Sequence, residues 1–376
     1  MTSRIAVLGV CGGRVPPGTE ALLEQADVVA GGPAVLAALA PSHARQVVLG
    51  KGLAATLEAL AAEPGRVVVL ASGDPGFFGI VRALGAHGRL DVYPAPSSVA
   101  LAFARLGIPW DDALVVSAHA RDPRTAINTA LRHPKVAILT DDNAAEIVAA
   151  LGGRRVTVAE ALGSARERIG GEPPFAQPNV VIVEGDERAP RATRWALPED
   201  AFEHRAGMIT KAEVRALALA ALGPGIGDLV WDVGCGSGSV AVECARLGAA
   251  AIAIDDDPDA IAVTTHNAKT HDVPVRTVSG TAPRALDGLP EPDATFVGGG
   301  GDALPAILDH VAPITRRAVV VTVALVERIA PAMERLAAHG LDVTATTLQA
   351  NRLRPLAGGH RFAAENPVTV IVGRRA

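Results

Sequence analysis

The sequence predicts an α/β protein with two domains, and three observations support this fold class. The chain has 376 residues, more than one hydrophobic core usually organises. It is 49% hydrophobic and 20% charged, so it has ample apolar surface to bury. Short β-branched runs alternate with Ala- and Leu-rich segments almost throughout, which is the pattern of sheets covered by helices.

In the first half, β-branched runs predict strands, with helices between them at residues 99–106 and 144–151. The predicted strands are residues 5–9, 67–71, 90–93, 114–117, 136–140, 156–158 and 180–184. Residues 188–206 are polar, contain proline and have no period, so they predict a linker. We therefore predict a first domain at residues 1–187 and a second at residues 207–376.

In the second half, residues 210–222 predict a helix, with Thr210 as its N-cap and Glu213 as the capping-box partner. The predicted strands are residues 228–233, 251–255, 275–279, 294–298, 318–322, 341–348 and 367–373. An irregular stretch rich in arginine separates the last two.

Composition and charge exclude several classes of protein. No apolar run approaches the roughly 20 residues of a membrane span, and the first ten residues run into a strand rather than a signal peptide. Cys11, Cys235 and Cys244 are too scattered for a disulfide framework or a zinc site. A net charge of −5 argues against general nucleic-acid binding. We expect a soluble cytoplasmic protein with no metal, membrane or nucleic-acid partner.

The strongest local signal is a glycine-rich loop that follows an apolar strand. Residues 232–238 read Asp-Val-Gly-Cys-Gly-Ser-Gly, and Asp255 ends the next strand about 20 residues on, where a carboxylate can bind a ribose diol. A nicotinamide dinucleotide site would place the third glycine one residue later, and a purely structural turn is a further alternative.

This order, D-V-G-x-G-x-G, resembles the first motif of the Rossmann-like S-adenosylmethionine methyltransferases. The resemblance implies that the first carboxylate lies near the methionine moiety, the second near the ribose, and the loop after the third strand near the adenine. Asp256 is an alternative to Asp255 for the ribose. The implied cofactor-binding residues are Thr210, Asp232, Gly234, Gly236, Gly238, Asp255, Thr281 and Ala282.

A second signature follows the strand at 67–71. Residues 72–79 (SGDPGFFG) form a loop at the carboxyl end of a strand, where α/β sheets bind ligands, although an ordinary tight turn is the alternative. With residues 94–99 (PAPSSV), 117–121 (SAHAR) and 139–141 (LTD), this loop resembles the tetrapyrrole (corrin/porphyrin) methylases, in the branch that acts at carbon 5. The resemblance implies a second S-adenosylmethionine site at Gly9, Gly73, Asp74, Pro75, Ser97, Ser98, Ser117, Ala118, Leu139 and Thr140.

The second half resembles the decarboxylating methyltransferases that act at carbon 15 of the same macrocycle. The resemblance lies in residues 207–215 (GMITKAEVR), 296–300 (FVGGG) and 366–368 (NPV). Two such modules in this order resemble the fused methyltransferases of cobalamin biosynthesis. This implies methylation of precorrin-6 at carbons 5 and 15, with loss of the ring C acetate carboxyl group, giving precorrin-8. It also implies a homo-oligomer, typically a tetramer.

Several alternatives stay open at this point. One module alone could be active, because the loop after residue 9 departs from the G-x-G-P-G pattern of the tetrapyrrole methylases. The substrate could carry cobalt. Outside this class, the chain could be a nicotinamide-dependent reductase or a non-catalytic protein that binds S-adenosylmethionine.

Methyl transfer from a sulfonium mainly requires alignment and a water-poor pocket, so the sequence identifies no catalytic residue; Thr210 and Lys211 are candidates. A polycarboxylate substrate requires cationic partners, for which arginine is well suited. A solvated surface charge is the alternative for each charged candidate. The candidate substrate-binding residues are His119, Arg121, Lys211, Arg215, Gly299, Arg352, Arg354, His360 and Arg361.

Overall fold

The computed structural model describes residues 5–50, 53–85, 89–186, 194–205 and 209–375. Contacts divide the chain into two units, both built from strands and helices, which confirms the predicted α/β class. The first unit comprises residues 1–120, 137–149 and 156–182, and the second comprises residues 121–136, 150–155 and 183–376. The two predicted domain boundaries, at residues 187–188 and 206–207, lie outside the described residues. No described helix is both long and apolar enough to cross a membrane.

The first sheet forms because hydrophobic side chains line both faces of its strands. Its strands are β1 (Ile5–Val10), β2 (Val28–Gly31), β3 (Arg45–Val48), β4 (Val67–Ser72) and β5 (Leu90–Tyr93). They are parallel, in the order β3-β2-β4-β1-β5. Ile5 and Val7 pack into one hydrophobic cluster while Leu8 and Val10 pack into another, as alternation along a doubly covered strand requires. The helices of this region are α1 (Glu20–Glu24), α2 (Pro33–Leu39), α3 (Leu53–Ala61) and α4 (Val81–Leu84).

A second sheet follows in the chain. Its strands are β6 (Leu114–Ser117), β7 (Lys135–Thr140), β8 (Arg155–Glu160), β9 (Arg168–Ile169) and β10 (Asn179–Glu184), with helices α5 (Ser98–Leu106), α6 (Arg124–Arg132) and α7 (Ala144–Ala150) between them. The strand order is β6-β7-β10-β8-β9. The first half of the chain therefore has two successive sheets.

The third sheet carries the glycine loop. Its strands are β11 (Leu229–Val233), β12 (Ala250–Asp255), β13 (Arg276–Ser279), β14 (Ala294–Gly298), β15 (Ala318–Val323), β16 (Asp342–Leu348) and β19 (Val368–Arg374). The order is β13-β12-β11-β14-β15-β19-β16, and β19 is antiparallel to both of its neighbours. Leu229, Trp231 and Val233 pack on one face, while Val230 packs on the other.

Helices cover both faces of this sheet, and a hairpin extends from it. The helices are α8 (Ala212–Leu222), α9 (Ser239–Arg246), α10 (Pro258–Thr270), α11 (Leu304–Ile314) and α12 (Ile329–Ala338). The hairpin consists of β17 (Asn351–Leu356) and β18 (Gly359–Ala364).

Three expectations from the sequence are corrected. Strands β2 and β3 were not predicted from the sequence. The stretch predicted as irregular forms the β17–β18 hairpin, which turns at Ala357 and Gly358, both with positive φ. Helix α8 begins at Ala212, after Lys211 rather than after a Thr210 cap. The amide of Ala212 instead donates to Glu199 Oε1 at 3.1 Å.

The described part of the predicted linker is the connecting segment, residues 194–205, and it packs onto the second unit. Phe202 is 4% exposed in a hydrophobic cluster. The buried carboxylate of Glu243 accepts hydrogen bonds from the amides of Ala196 and Leu197 at 2.9 and 2.7 Å. Sequence composition indicates a linker because the segment is polar, but several of its polar groups hydrogen-bond to residues that are distant in the sequence.

Candidate functional site

The glycine loop lies where the order of the third sheet reverses. β11 has β12 on one side and β14 on the other, and all three are parallel. Ligands of open α/β sheets bind at the carboxyl ends of strands at such a switch point. The loop at residues 234–238 follows β11 directly, so the topology places it at the expected position for a ligand.

Backbone hydrogen bonds fix the conformation of this loop. The amides of Gly234 and Cys235 donate to the carbonyl oxygen of Ile254 at 2.8 and 3.1 Å. The amide of Gly236 donates to Asp255 Oδ2 at 2.9 Å. Gly234, Gly236 and Gly238 all have positive φ, which favours glycine. The loop is thus held in one shape before any ligand binds.

The third glycine has a packing role. A Cβ atom on Gly238 would lie 2.5 Å from the side chain of Thr264 on α10. Because this residue precedes α9, its missing side chain lets α9 and α10 approach each other.

Asp232 is buried beside the loop with one oxygen unsatisfied. Its Oδ2 accepts a hydrogen bond from the amide of Ala241 at 2.9 Å, in the first turn of α9. Its Oδ1 is buried and has no hydrogen-bond partner among the described residues. Burial raises the pKa of Asp232 to about 7. A buried carboxylate with a free oxygen is suited to pair with a cationic ligand group.

Asp255 and Asp256 border a cavity of about 320 Å³. Asp255 Oδ1 accepts from the amide of Asp257 at 3.0 Å, so backbone amides orient this carboxylate. Asp256 is exposed and lies beside it. The cavity is also lined by the predicted residues Gly234, Thr281 and Ala282.

A larger cavity of about 480 Å³ lies beside the same loop. Gly234 lines both cavities, so they adjoin at the loop. The loops after β11 and β14 approach closely, because a Cβ atom on Gly298 would lie 2.7 Å from the Gly234 carbonyl oxygen. The predicted residues that line the larger cavity are Thr210, Lys211, Gly234, Gly236 and Gly299.

Sequence reasoning did not single out Glu365 or Asn267. Glu365 lines the larger cavity, next to the Asn-Pro motif that precedes β19. Its position beside that motif is the signal in the sequence that could have identified Glu365. Asn267 Nδ2 donates to the carbonyl oxygens of Ser237 and Glu203, at 2.8 and 2.9 Å. This buried amide therefore joins the glycine loop to the connecting segment, through contacts that no local pattern shows.

One predicted substrate contact, Arg215, is corrected, and a second, Arg352, has partners within the protein. Arg215 is fully buried, pairs with Glu243 at 3.1 Å and lies over the ring of Phe202 at 4.8 Å. Arg352 pairs with the carboxylates of Glu199 and Glu213 at 2.7 and 2.8 Å, and its guanidinium lowers the pKa of Glu199 to about 2. Arg215 is therefore inaccessible to a substrate, whereas Arg352 is held by two carboxylates of the protein.

The other hairpin candidates are exposed. Arg354 and Arg361 lie directly opposite each other on β17 and β18, and His360 lies opposite Pro355. In the part of the chain that the structure describes, neither Arg354 nor Arg361 has an acidic partner. Like charges directly opposite in a hairpin are unfavourable, so this pair favours an anionic ligand.

In the first unit, the structure brings four predicted residues together. A Cβ atom on Gly9 would lie 2.4 Å from both the Gly73 carbonyl oxygen and the Ala95 amide nitrogen. Gly73 in turn approaches Ser97 and Ser98 at the start of α5. Ser97 accepts a hydrogen bond from the Ala100 amide at 3.1 Å and caps that helix. The loops after β1, β4 and β5 therefore converge.

The loop that contains Asp74 and Pro75 is ordered by a local contact. Asp74 Oδ1 accepts from the amide of Gly76 at 2.8 Å, and Pro75 is buried. The loop after β1 closes as a tight turn, in which the Cys11 and Arg14 backbones exchange hydrogen bonds at 3.1 Å.

The remaining candidates lie at the ends of β6 and β7. The Ala118 amide donates to the Leu139 carbonyl oxygen at 2.8 Å, and Thr140 Oγ1 donates to the Asn179 carbonyl oxygen at 3.3 Å. Ser117 ends β6 and is half-buried. His119, which is exposed, lies 3.9 Å from Asp141. Arg121 is exposed, and the division of the chain by contacts assigns it to the second unit.

Comparisons with known proteins identify both halves of the chain. Residues 200–375 match the family model of the precorrin methyltransferase domain, and residues 13–173 match that of the tetrapyrrole (corrin/porphyrin) methylases. A Pyrobaculum calidifontis relative is named a probable cobalt-precorrin-6B C(15)-methyltransferase (decarboxylating). It is 38% identical over 182 residues, which cover 46% of this chain and 93% of the relative. The chain belongs to the precorrin methyltransferase family.

Within this family, relatives named for methylation at both carbons are matched over a smaller share of their length. A Sinorhizobium relative, named a precorrin-6Y C(5,15)-methyltransferase (decarboxylating), is 43% identical over 269 residues. The alignment covers 65% of this chain and 65% of that relative, so it spans just under two thirds of the relative's length. The solved C-terminal domain of such a protein from Rhodobacter capsulatus is 36% identical, with a TM-score of 0.43, and covers 48% of this chain and 97% of that domain.

Proposed function

We propose that this member of the precorrin methyltransferase family methylates precorrin-6 at carbons 5 and 15 and removes the carboxyl group of the ring C acetate, giving precorrin-8 in cobalamin biosynthesis. The first domain, residues 1–187, would act at carbon 5, and the second, residues 207–376, would act at carbon 15. The observation that carries this proposal is the pair of adjoining cavities at Gly234, one bordered by Asp255 and the other by Lys211.

The residues around the second-unit loop fit S-adenosylmethionine. The smaller cavity offers Asp255 for the ribose hydroxyls and Thr281 and Ala282 for the adenine. The unsatisfied Asp232 oxygen suits the ammonium group of the methionine moiety. When bound, S-adenosylmethionine supplies a methyl group activated as a sulfonium. The protein's contribution is to align the acceptor carbon and to keep water away.

We propose a second S-adenosylmethionine site in the first unit, so that each module has one. The convergence of Gly9 and Gly73 with the start of α5 supports this proposal. A ligand can approach backbone closely where side chains are absent. The tight turn at Cys11–Arg14, in place of the family's usual loop, is the observation that favours the alternative in which only the second module is active.

The substrate is a polycarboxylate, and the hairpin supports that assignment. Arg354 and Arg361 face each other without an acidic partner among the described residues. Two adjacent guanidinium groups bind carboxylates in fork geometry. Lys211 provides a further cation at the wall of the larger cavity.

A cobalt-bearing substrate is the second candidate. The Pyrobaculum calidifontis relative, which is matched over 93% of its length, is named for cobalt-precorrin-6B. The Sinorhizobium relative, which is named for both carbons, refers to precorrin-6Y. The two substrates share the carboxylates and the bridge carbons, so the same cavity suits either. Parallel turnover of metal-free and cobalt-bearing substrate would separate them.

The first test is calorimetric titration of S-adenosylmethionine into the full chain. We expect two sites per chain, one of which is lost in Asp255→Ala, and no heat with NAD. A single site that the substitution abolishes would favour one active module, and binding of NAD alone would overturn the proposal. Turnover should then add two methyl groups and remove one carboxyl group in the product mass. We also propose a cytoplasmic location and a homo-oligomeric, tetrameric assembly, which sedimentation would test.

A further inference from the structure

The larger cavity offers a single carboxylate for proton transfer. Among its described lining residues, the ionisable groups are Glu365, Lys211 and the thiol of Cys235. Burial raises the pKa of Cys235 well above its ordinary value, so this thiol stays neutral and protonated. Glu365 is therefore the carboxylate in this set that can serve first as a proton acceptor and then as a proton donor.

The backbone of Glu365 is fixed while its side chain is free. Its amide donates to the Ala350 carbonyl oxygen at 2.9 Å, and its carbonyl oxygen accepts from Gln349 Nε2 at 2.8 Å. Asn366, Pro367 and β19 follow in the chain. The side chain is half-buried, and within the described ranges it has no hydrogen-bond or ion-pair partner. General acid–base catalysis requires a carboxylate on a fixed backbone whose oxygens are not already paired within the protein, and Glu365 has this arrangement among the described residues.

The proposed reaction needs such a group. When a bridge carbon that bears one hydrogen accepts the methyl group, the S–CH₃ bond breaks, a C–CH₃ bond forms and the positive charge passes to the macrocycle. Loss of CO₂ from the acetate then sends an electron pair into the macrocycle, which neutralises this charge and leaves an exocyclic methylene. The final methyl-bearing product forms only if the bridge carbon loses its proton and the methylene gains one.

We propose that the Glu365 carboxylate carries this proton, accepting it from the bridge carbon and donating it to the exocyclic methylene. The transfer consumes no net proton and requires no further reactant, because one group serves first as base and then as acid. This inference rests on the proposed function and assigns a catalytic residue to it.

Glu365→Gln keeps the shape of the side chain and removes its basicity. We expect its calorimetric affinity for S-adenosylmethionine to match that of the unchanged chain, and its release of CO₂ to stay within about threefold. Formation of the final product should slow by at least about 100-fold, the usual loss for a missing general base. A species with the product's mass but a shorter-wavelength absorption should accumulate, since a tetrahedral bridge carbon interrupts the conjugation. Glu365→Asp should restore part of the rate.

Glu334→Gln is the matched control, because Glu334 is an exposed carboxylate on α12, away from the cavity lining. It should behave as the unchanged chain. Wild-type rates in Glu365→Gln would overturn the role of Glu365 while leaving the proposed function intact. Loss of CO₂ release together with product formation would also overturn it, because Glu365 would then act before the proton transfer. If the unchanged chain neither methylates nor decarboxylates the substrate, both proposals fail.

Discussion

The buried carboxylate of Asp232 should make the stability of the second unit depend on pH. The pKa of Asp232 is about 7 in the folded protein, against an ordinary value of 3.8. Below pH 3.8 both states hold the proton. As the pH rises towards 7 only the folded state keeps it, and stability falls; above pH 7 the fall stops, because the folded state has also ionised. The difference in pKa corresponds to about 4 kcal/mol, of which about 2 kcal/mol falls between pH 5 and pH 7.

The substitution Asp232→Asn should remove this dependence. Asparagine retains an oxygen that can accept from the Ala241 amide, and it carries no charge at any pH. Burial of the asparagine side-chain nitrogen lowers the free energy of unfolding by an amount that does not vary with pH. The informative quantity is therefore how the difference in unfolding free energy between the variant and the unchanged chain changes with pH. Relative to the unchanged chain, the variant should gain about 3 kcal/mol of stability between pH 5 and pH 8.

Urea unfolding at pH 5, 6, 7 and 8, without ligand, would measure this gain. Trp231 is fully buried in β11 and reports on the second unit, whereas Trp110 and Trp195 are exposed and should be replaced by phenylalanine in every protein compared. Asp256→Asn is the matched control, since its carboxylate is exposed and it should show no such trend. A free-energy difference between Asp232→Asn and the unchanged chain that stays constant over this range would refute the reasoning.

Two further predictions concern stability. Gly238→Ala should destabilise the second unit by more than about 2 kcal/mol, because it combines backbone strain with a Cβ atom 2.5 Å from Thr264, whereas Gly299→Ala adds strain into open space and should cost about 1 kcal/mol. Equal shifts of the urea midpoint for both would contradict the packing role of Gly238. Glu243→Gln should cost about 3 kcal/mol, because it leaves the guanidinium of Arg215 buried without its counter-charge. Arg215 also donates hydrogen bonds to the carbonyl oxygens of Thr210 and Leu197. An unchanged midpoint would mean that these two partners are sufficient.

The sequence by itself determined the fold class, both glycine loops and the family. Parallel strands and covering helices leave a strong pattern, because doubly covered strands are hydrophobic throughout and helices repeat every 3.6 residues. The loop residues Gly234 and Gly236, together with Asp255, were predictable because glycine and carboxylate at fixed offsets from a strand meet local geometric needs.

Only the tertiary structure decided which charged residues are available to a ligand. Arg215, Arg352 and Arg354 look alike in the sequence, yet the first is buried against Glu243, the second is held by two carboxylates, and the third is exposed on the hairpin. Partners separated by tens to more than a hundred residues leave no local periodicity. Whether an arginine is structural or free therefore depends on long-range packing, and so does the position of Glu365 in the cavity wall.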